Sequence, residues 1–265
     1  MPVHCALEIE SLSSEEFSKV DYLVMGQMLA SQNELGRLAD EQVYRADVAQ
    51  RLSAMGLPCE VEVPVQLTHE SFCKTLYLDL VVGQKAVYEL KTVKALNSNH
   101  SAQLMTYLNL LNLSRGKLVN FRTESVESKF VNAPIDCTER AEFTVEKTGF
   151  TGDAQFIDTV VKLVRDWGTS LSVTLYRQAL VHLLGGEDVV EQMLPMERSG
   201  RQLPNQRFQL LDSQTSFELT AFSSTKNDYA DQLQRLLQLS SLQYLHWINI
   251  STHHLNIQTI SKAPK

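Results

Sequence analysis

The sequence predicts an α/β protein with two similar lobes, each a mixed central sheet flanked by helices. Two observations predict this fold. The N-terminal half shows the order helix, helix, three strands, helix, strand, strand, read from apolar periods of 3.6 and 2 residues. The C-terminal half repeats parts of that pattern at a nearly constant spacing. A chain of 265 residues, 43% of them hydrophobic, can supply two cores. We therefore predict domains at 1–145 and 150–265, with a linker over 144–153. In the second domain, residues 199–201 together with Pro204 and Asn205 predict a turn between strands.

Two helices come first in the chain. The run Ser13-Ser14-Glu15-Glu16 is typical of a helix N-terminus, and one apolar stripe follows it from Phe17 to Met28. Residues 33–36 interrupt this stripe. A second helix is predicted over about 38–55, where Glu41 and Tyr44 share a face because they are three residues apart.

Three strands follow the second helix. Valines at every second position from Val61 to Val65 predict a half-exposed strand that starts near Cys59. Apolar runs over 76–82 and 87–93 predict two more strands, joined by a tight turn at Gly83.

Three charged residues interrupt the apolar runs of the second and third strands. Glu89 and Lys91 are two residues apart and share a face, and Asp79 on the neighbouring strand can join them. Charged groups inside an apolar sheet are costly unless they satisfy one another or bind a cation. The sequence therefore predicts a charged cluster within this sheet.

A third helix is predicted over 102–113, opened by the polar run 98–101. Its residues His100, Gln103 and Tyr107 lie on one side at three- and four-residue spacing. We interpret His100 as a cap or surface residue. Short strands over 118–121 and 125–131 complete the N-terminal half.

Together these elements and residues resemble the PD-(D/E)XK nuclease superfamily and, more narrowly, its GxxExxY proteins, over roughly residues 17–132. The glycine of that motif, three residues before its glutamate, is replaced here by Leu38, although Gly36 lies nearby. The positions that carry the resemblance are Glu41, Tyr44, Asp79, Glu89, Lys91 and Gln103.

The resemblance implies a Mg²⁺-dependent nuclease, with Mn²⁺ as a possible substitute, because a hard cation prefers oxygen ligands. Asp79, Glu89 and the carbonyl of Leu90 would be metal ligands. Lys91, Glu41 and Gln103 would be catalytic residues that position water or substrate and complete the metal shell. Tyr44, Tyr107 and Lys94 would contact the substrate. The roles of these nine residues are expectations that follow from the resemblance alone.

Other readings of the same residues stay open. Glu89 and Lys91 could form a plain surface ion pair, and the two tyrosines could be packing residues with a hydrogen-bonding tip. The protein could be a non-catalytic nucleic-acid-binding module, or a regulatory or interaction protein that retains the nuclease fold. Whether it is an enzyme is left open by the sequence.

The C-terminal half repeats the first but lacks its chemistry. Gln232, Asn249 and Glu218 lie 129 positions after Gln103, Asn120 and Glu89, and Tyr176 lies 132 positions after Tyr44. The residues at the places of Glu41, Asp79 and Lys91 are Val173, Phe208 and Thr220. We therefore predict an internal duplication with a degenerate, pseudo-nuclease second lobe. Such lobes suit an intramolecular pseudo-dimer, and a homo-oligomer is the alternative.

Charge and cysteine content limit partners and location. A net charge of −7 makes a broad nucleic-acid platform unexpected, so contact would need a local basic patch. Candidates for this patch are Lys94, Arg115, Lys117, Arg122 and Lys129. Four scattered cysteines without a CxxC pair predict buried thiols in a reducing cytoplasm. No apolar run predicts a signal peptide or a membrane span.

Overall fold

The protein is described by a computed structural model that covers residues 2–223 and 227–263. The predicted α/β fold is confirmed: two six-stranded mixed sheets are each flanked by helices. The chain divides into two compact units. The N-terminal lobe holds Pro2–Thr68 and Cys73–Glu139, and the C-terminal lobe holds His69–Phe72 and the residues from Arg140 onward. Within the described ranges, none of the helices is long and apolar enough to cross a membrane.

The first sheet has the strand order β1-β2-β3-β4-β5-β6, so β4 lies inside it. The elements are β1 (Val3–Cys5), α1 (Ser14–Leu35), α2 (Glu41–Ala54), β2 (Cys59–His69), β3 (Phe72–Val82), β4 (Ala86–Lys91), α3 (Ser98–Leu111), β5 (Arg115–Asn120) and β6 (Glu127–Asn132).

Helix starts follow local capping chemistry. Ser13 accepts a hydrogen bond from the Glu16 amide while the Glu16 carboxylate accepts from the Ser13 amide, which confirms the predicted start of α1. Helix α3 begins at Ser98 rather than Ala102, because Asn97 caps it and the His100 ring accepts from the Asn97 amide. The interpretation of His100 as a capping residue is therefore confirmed.

The turn between β3 and β4 is the predicted one. Gly83 and Gln84 both have positive φ, at 62° and 56°, and the Lys85 amide donates to the Val82 carbonyl. Two successive positive φ values are typical of a tight hairpin turn whose twist matches that of its strands. The turn sets an antiparallel register that pairs Leu80 with Tyr88.

The first sheet is covered on both faces. One core, around Phe17, Tyr44 and Leu90, packs α1 and α2 against the sheet. A second core, around Val87 and Leu104, includes residues of α3 and of the sheet. The N-terminal lobe is therefore a three-layer α/β/α sandwich, and its strands are apolar on both faces as expected for a covered sheet.

The second sheet has the strand order β7-β12-β11-β10-β9-β8. After the short helix α4 (Cys137–Ala141), the elements are β7 (Thr144–Glu146), α5 (Ala154–Trp167), α6 (Val173–Leu183), α7 (Glu187–Val190), β8 (Glu191–Arg198), β9 (Arg201–Leu210), β10 (Thr215–Thr220), α8 (Asn227–Leu239), β11 (Tyr244–Ile250) and β12 (His254–Ser261).

The two sheets share their pairing pattern. In the first, β4 is parallel to β5, and β3 and β6 are antiparallel to their inner neighbours. In the second, β10 is parallel to β11, and β9 and β12 are antiparallel to theirs. Excluding the edge strands β1 and β7 and the short helices α4 and α7, both lobes have the element order helix, helix, three strands, helix, two strands.

Two hydrogen-bonding arrangements also recur. The Tyr44 hydroxyl donates to the Gly36 carbonyl, and the Tyr176 hydroxyl donates to the Gly168 carbonyl, 132 positions later in each case. The buried Asn120 side chain bonds both the amide and the carbonyl of Val93. Asn249 does the same to Phe222, 129 positions later.

Three predictions of local structure are wrong. Part of the segment expected to be a linker, 144–153, forms β7, which pairs with His254–Asn256 of β12. A strand of three residues is too short to show an apolar period. Its partner also lies far along the chain, so the neighbouring sequence does not indicate it. Pro204 and Asn205 lie inside β9 instead of in a turn. None of the four cysteines is buried, and Cys73 and Cys137 are exposed.

Candidate metal and active site

Three carboxylates surround the ammonium group of Lys91. The Nζ atom lies 2.6 Å from Glu89 Oε1, 3.8 Å from Asp79 Oδ2 and 3.9 Å from Glu41 Oε2. We call these four side chains the acidic cluster. Only 13% of the Lys91 side chain is exposed, so it points into the cluster and not to bulk solvent. The alternative of a plain surface ion pair does not fit this geometry.

Strand geometry brings the cluster together. Val87 packs in the core that includes α3, while Tyr88 and Leu90 pack against α1 and α2. By alternation, Glu89 and Lys91 face the α3 side. The pairing of β3 with β4 ends at Leu80 and Tyr88. Beyond that point the Asp79 carboxylate accepts a hydrogen bond from the Leu90 amide at 2.8 Å. A side-chain hydrogen bond therefore replaces the backbone pairing between the two strands there.

Burial and neighbouring charges shift the pKa values of Glu89, Glu41 and Lys91. Burial, together with the Asp79 charge and against the effect of Lys91, raises the pKa of Glu89 to about 8. Burial also raises the pKa of Glu41. Burial alone would lower the pKa of Lys91, but the charges of Glu89, Asp79 and Glu41 together raise it. The site therefore favours the neutral forms of Glu89 and Glu41, while Lys91 stays protonated beside them.

Arg45 is a member of the site that sequence reasoning missed. Its guanidinium donates to Asp79 Oδ1 at 3.1 Å and to Glu62 Oε1 at 2.6 Å. Its position in the sequence could have indicated it, because Arg45 lies four residues after Glu41 and therefore on the same face of α2. The predicted alternation of β2 also fails here, because Glu62 has a φ of 52° and Val61 is exposed.

The helix α3 contributes one pair near the cluster. The Gln103 amide donates to the Tyr107 hydroxyl at 3.1 Å, as their predicted shared face allows. Burial, the charge of Glu89 and that of Asp79 raise the pKa of Tyr107 to about 12. Tyr107 is therefore a neutral phenol at neutral pH and close enough to the acidic cluster to sense its charge.

The remaining predicted site residues lie in different environments. Tyr44 is fully buried, stacks on Phe121 at 4.3 Å and donates its hydroxyl proton to a backbone carbonyl, which fits the packing alternative. Leu90 is fully buried beside Asp79. Lys94 is exposed, three residues after Lys91.

The predicted basic patch loses two of its five members. Lys117 is buried and paired with Asp21 at 2.5 Å, so its assignment to an accessible patch is wrong. Lys117 lies in a stretch of β5 whose neighbouring residues are buried, so its side chain is buried as well, and Asp21 of α1 compensates its charge. Arg122 donates to the carbonyls of Thr92 and Ala39 and so bonds the backbone instead of projecting freely.

The side chains of the acidic cluster have the donor atoms that a divalent cation needs, but not yet its geometry. Within the described ranges, no three His, Cys, Asp or Glu side chains are arranged to hold a metal ion as they stand. The three carboxylates surround an ammonium group instead. However, Glu89 Oε2 is buried and has no hydrogen-bond partner among the described residues. A hard divalent cation prefers such carboxylate oxygens, so the donor chemistry fits a cation of this class.

The equivalent position in the C-terminal lobe lacks this chemistry. Thr220 stands at the place of Lys91, donating to Asn249 and accepting the Trp247 indole proton. Phe208, at the place of Asp79, is a core residue. Glu218 remains, but it pairs with Arg177 at 3.3 Å. Burial raises the pKa of this glutamate.

Comparison with known proteins gives one family match. Residues 18–132 match the PD-(D/E)XK nuclease superfamily. No curated protein matches the chain. One solved structure, described as "Crystal structure of SSO0001", is 22% identical, covers 44% of this chain and 67% of its own, and superposes with a TM-score of 0.28. That likeness is too weak to support a conclusion. The family match coincides with the α/β/α lobe that carries the acidic cluster, so it is this part of the chain that is similar to the PD-(D/E)XK nuclease superfamily.

Proposed function

We propose that the N-terminal lobe is a Mg²⁺-dependent nuclease site that hydrolyses phosphodiester bonds in nucleic acid. The observation that carries this proposal is the convergence of Glu41, Asp79 and Glu89 within 4 Å of the Lys91 ammonium. Asp79, Glu89 and the carbonyl of Leu90 would hold the cation, with Glu41 as a further oxygen donor. A bound divalent cation supplies Lewis-acid activation of water and of a phosphoryl oxygen.

The side chains of the lobe then have separate tasks. The protonated ammonium of Lys91, which the three carboxylates surround, orients a water molecule and stabilises charge that develops on the phosphoryl oxygens. Gln103 and Tyr107 offer neutral hydrogen-bonding groups beside it and orient substrate or Lys91. Lys94 offers an exposed positive charge nearby for a phosphate of the nucleic acid backbone.

We also propose that the C-terminal lobe is a degenerate copy that has lost this activity. The shared strand pairing and the recurring Tyr–Gly and Asn–backbone hydrogen bonds support duplication. Val173, Phe208 and Thr220 at the chemical positions support the loss, because they offer no carboxylate and no ammonium. Assignment to the GxxExxY group within the superfamily is part of the same proposal.

The test is metal-dependent cleavage by wild-type protein and by Lys91→Met. We expect the variant to lose at least about 100-fold in rate, the scale of removing one preorganised charge from an active site. Lys85→Met is the matched control, because Lys85 lies in the same hairpin but forms an exposed ion pair with Glu10. Equal cleavage by Lys91→Met and wild type would refute the assignment.

Binding without cleavage would instead support the non-catalytic alternative. In that case DNA or RNA binds at low salt, Lys91→Met binds equally well, and neither protein cleaves with Mg²⁺ or Mn²⁺. Absence of nucleic-acid affinity at low salt would favour the regulatory or interaction alternative. A supercoiled plasmid, single-stranded DNA and structured RNA should all be assayed, since the site chemistry is common to all three.

A further inference from the structure

A second positively charged side chain, Arg45, contacts the acidic cluster, and the proposed chemistry does not use it. Arg45 projects from α2, and its side chain is 13% exposed. One end of its guanidinium bonds Asp79 Oδ1 at 3.1 Å, and the other bonds Glu62 Oε1 at 2.6 Å. It therefore bridges a carboxylate inside the cluster and a carboxylate at its rim, where Glu62 is 61% exposed.

Both carboxylate oxygens of Asp79 are already engaged. Oδ1 accepts from Arg45, and Oδ2 accepts the Leu90 amide while lying 3.8 Å from Lys91 Nζ. An incoming divalent cation would meet two positive side chains next to the carboxylate it needs. Electrostatic repulsion at such distances, in a partly buried site, opposes binding of the cation.

The backbone of Glu62 supports a specific role for the bridge. Glu62 lies inside β2 with a φ of 52°, a left-handed conformation that costs energy for a residue with a Cβ. The neighbouring Val61 is exposed, whereas Val63 and Val65 are buried, so the alternation of the strand breaks at this point. The break coincides with the residue that offers Arg45 its outer carboxylate.

We propose that Arg45 is a positioning residue that competes with the divalent cation for Asp79, and that metal binding requires Arg45 to release Asp79 and remain on Glu62 alone. The inference rests on the proposed metal site and deepens it by naming what limits its occupancy. It requires no change in fold, because the outer partner of Arg45 is already bonded.

The C-terminal lobe supplies a matched control. Arg177 lies 132 positions after Arg45, at the same place relative to the recurring tyrosine. It bonds Glu218, and Phe208 and Thr220 hold the positions that correspond to Asp79 and Lys91. Removing the charge of Arg177 therefore removes a similar ion pair without touching the proposed metal ligands.

The experiment is Mn²⁺ binding without nucleic acid, measured by titration calorimetry and by the electron paramagnetic resonance signal of free Mn²⁺. We expect Arg45→Gln to bind Mn²⁺ about tenfold more tightly than wild type, since a competing positive charge is removed. Arg177→Gln should bind like wild type. Arg45→Lys, which keeps the charge, should lie between the wild type and Arg45→Gln.

A second variant keeps the test decisive if Arg45→Gln folds poorly. Glu62→Gln changes an exposed side chain and removes the outer partner of Arg45, so Arg45 stays on Asp79 and Mn²⁺ affinity should fall about threefold or more. If Arg45→Gln binds equally or more weakly than wild type, or if Glu62→Gln binds equally, the inference fails while the metal site stands. If neither wild type nor Arg45→Gln binds Mn²⁺, the inference and the proposed function fail together.

Discussion

Glu89 illustrates how the fold sets the charge of a single residue. It is 1% exposed, one of its oxygens bonds Lys91, and the other has no partner among the described residues. Burial therefore favours its neutral form despite the adjacent ammonium, and raises its pKa from 4.5 to about 8. Buried groups with pKa values shifted in this way occur preferentially at sites of binding or chemistry.

This pKa shift predicts a pH-dependent stability. The folded state binds the Glu89 proton more tightly than the unfolded state, so its contribution to stability declines as pH rises from about 4.5 to about 8. Above about 8 the contribution is constant. Glu89→Gln removes the penalty, so its melting temperature should exceed that of wild type increasingly over this pH range, by several degrees at pH 8.

Thermal unfolding in EDTA at several pH values measures this difference. Glu142→Gln, which changes an exposed glutamate of the C-terminal lobe, should follow the wild type throughout. A gap between Glu89→Gln and wild type that narrows with rising pH would contradict the assignment of a raised pKa.

Tyr44 gives a second prediction at the residue scale. Its hydroxyl donates to the Gly36 carbonyl, so Tyr44→Phe should destabilise the N-terminal lobe by about 1–2 kcal/mol. Tyr176→Phe removes the corresponding bond to Gly168 and should cost the C-terminal lobe a similar amount. Denaturant unfolding measures both. If Tyr44→Phe instead weakens nucleic-acid binding at unchanged stability, the substrate-contact reading of Tyr44 is restored.

Sequence reasoning found the carboxylates but not the arginine, for a physical reason. Asp79, Glu89 and Lys91 stand out because charges inside apolar strands are costly and rare. Arg45 lies on a helix with many polar residues, where nothing local distinguishes it. Its partners Asp79 and Glu62 come from two strands that only tertiary packing brings to α2.

At the scale of elements, the end of β4 depends on an asparagine of β5. Asn120 bonds both backbone groups of Val93, which follows Lys91 by two residues, and the Phe121 amide donates to the Lys91 carbonyl. These bonds fix the chain as it leaves the strand that carries the site. The C-terminal lobe has the same arrangement at Asn249 and Phe222, with Thr220 and not a lysine two residues before Phe222, so the anchor does not depend on the charged site.

Replacing this anchor separates stability from function. Asn120→Ala and Asn249→Ala should each destabilise their lobe by about 2–3 kcal/mol, because two partly buried backbone groups lose a partner in each. Asn120→Ala should also weaken Mn²⁺ binding, since the end of β4 is released, whereas Asn249→Ala should leave it unchanged. Equal effects of both variants on Mn²⁺ binding would contradict this account.

Elements with local signals were predicted from sequence, and those that depend on distant partners were not. The start of α1 and the turn at Gly83 have their causes within four residues, in a capping box and in two positive φ values. Strand β7 exists because β12 offers it backbone partners 110 positions away, Thr144 opposite His254. No window along the sequence contains that information.

At the scale of the whole molecule, the chain carries one complete acidic cluster and one reduced counterpart. The spacing of 129 positions between the halves places Phe208 and Thr220 opposite Asp79 and Lys91. Phe208 and Thr220 do occupy core and hydrogen-bonded positions there, as replacement of a charged site by packing residues would require. A single chain is therefore expected to offer one hydrolytic centre.

One centre per chain predicts the order of products on a supercoiled plasmid. With Mg²⁺ or Mn²⁺, the wild type should convert supercoiled DNA first to nicked circles, and linear DNA should follow only after independent second nicks. Gel electrophoresis over a time course, at enzyme concentrations below that of the plasmid, measures this order. Lys91→Met should leave the plasmid supercoiled, because the ammonium of the single centre is gone. Linear DNA as the first product would mean that two centres act together, either in a homo-oligomer or because the C-terminal lobe retains activity. Gel filtration of the same preparation distinguishes these two cases, since only the first requires more than one chain.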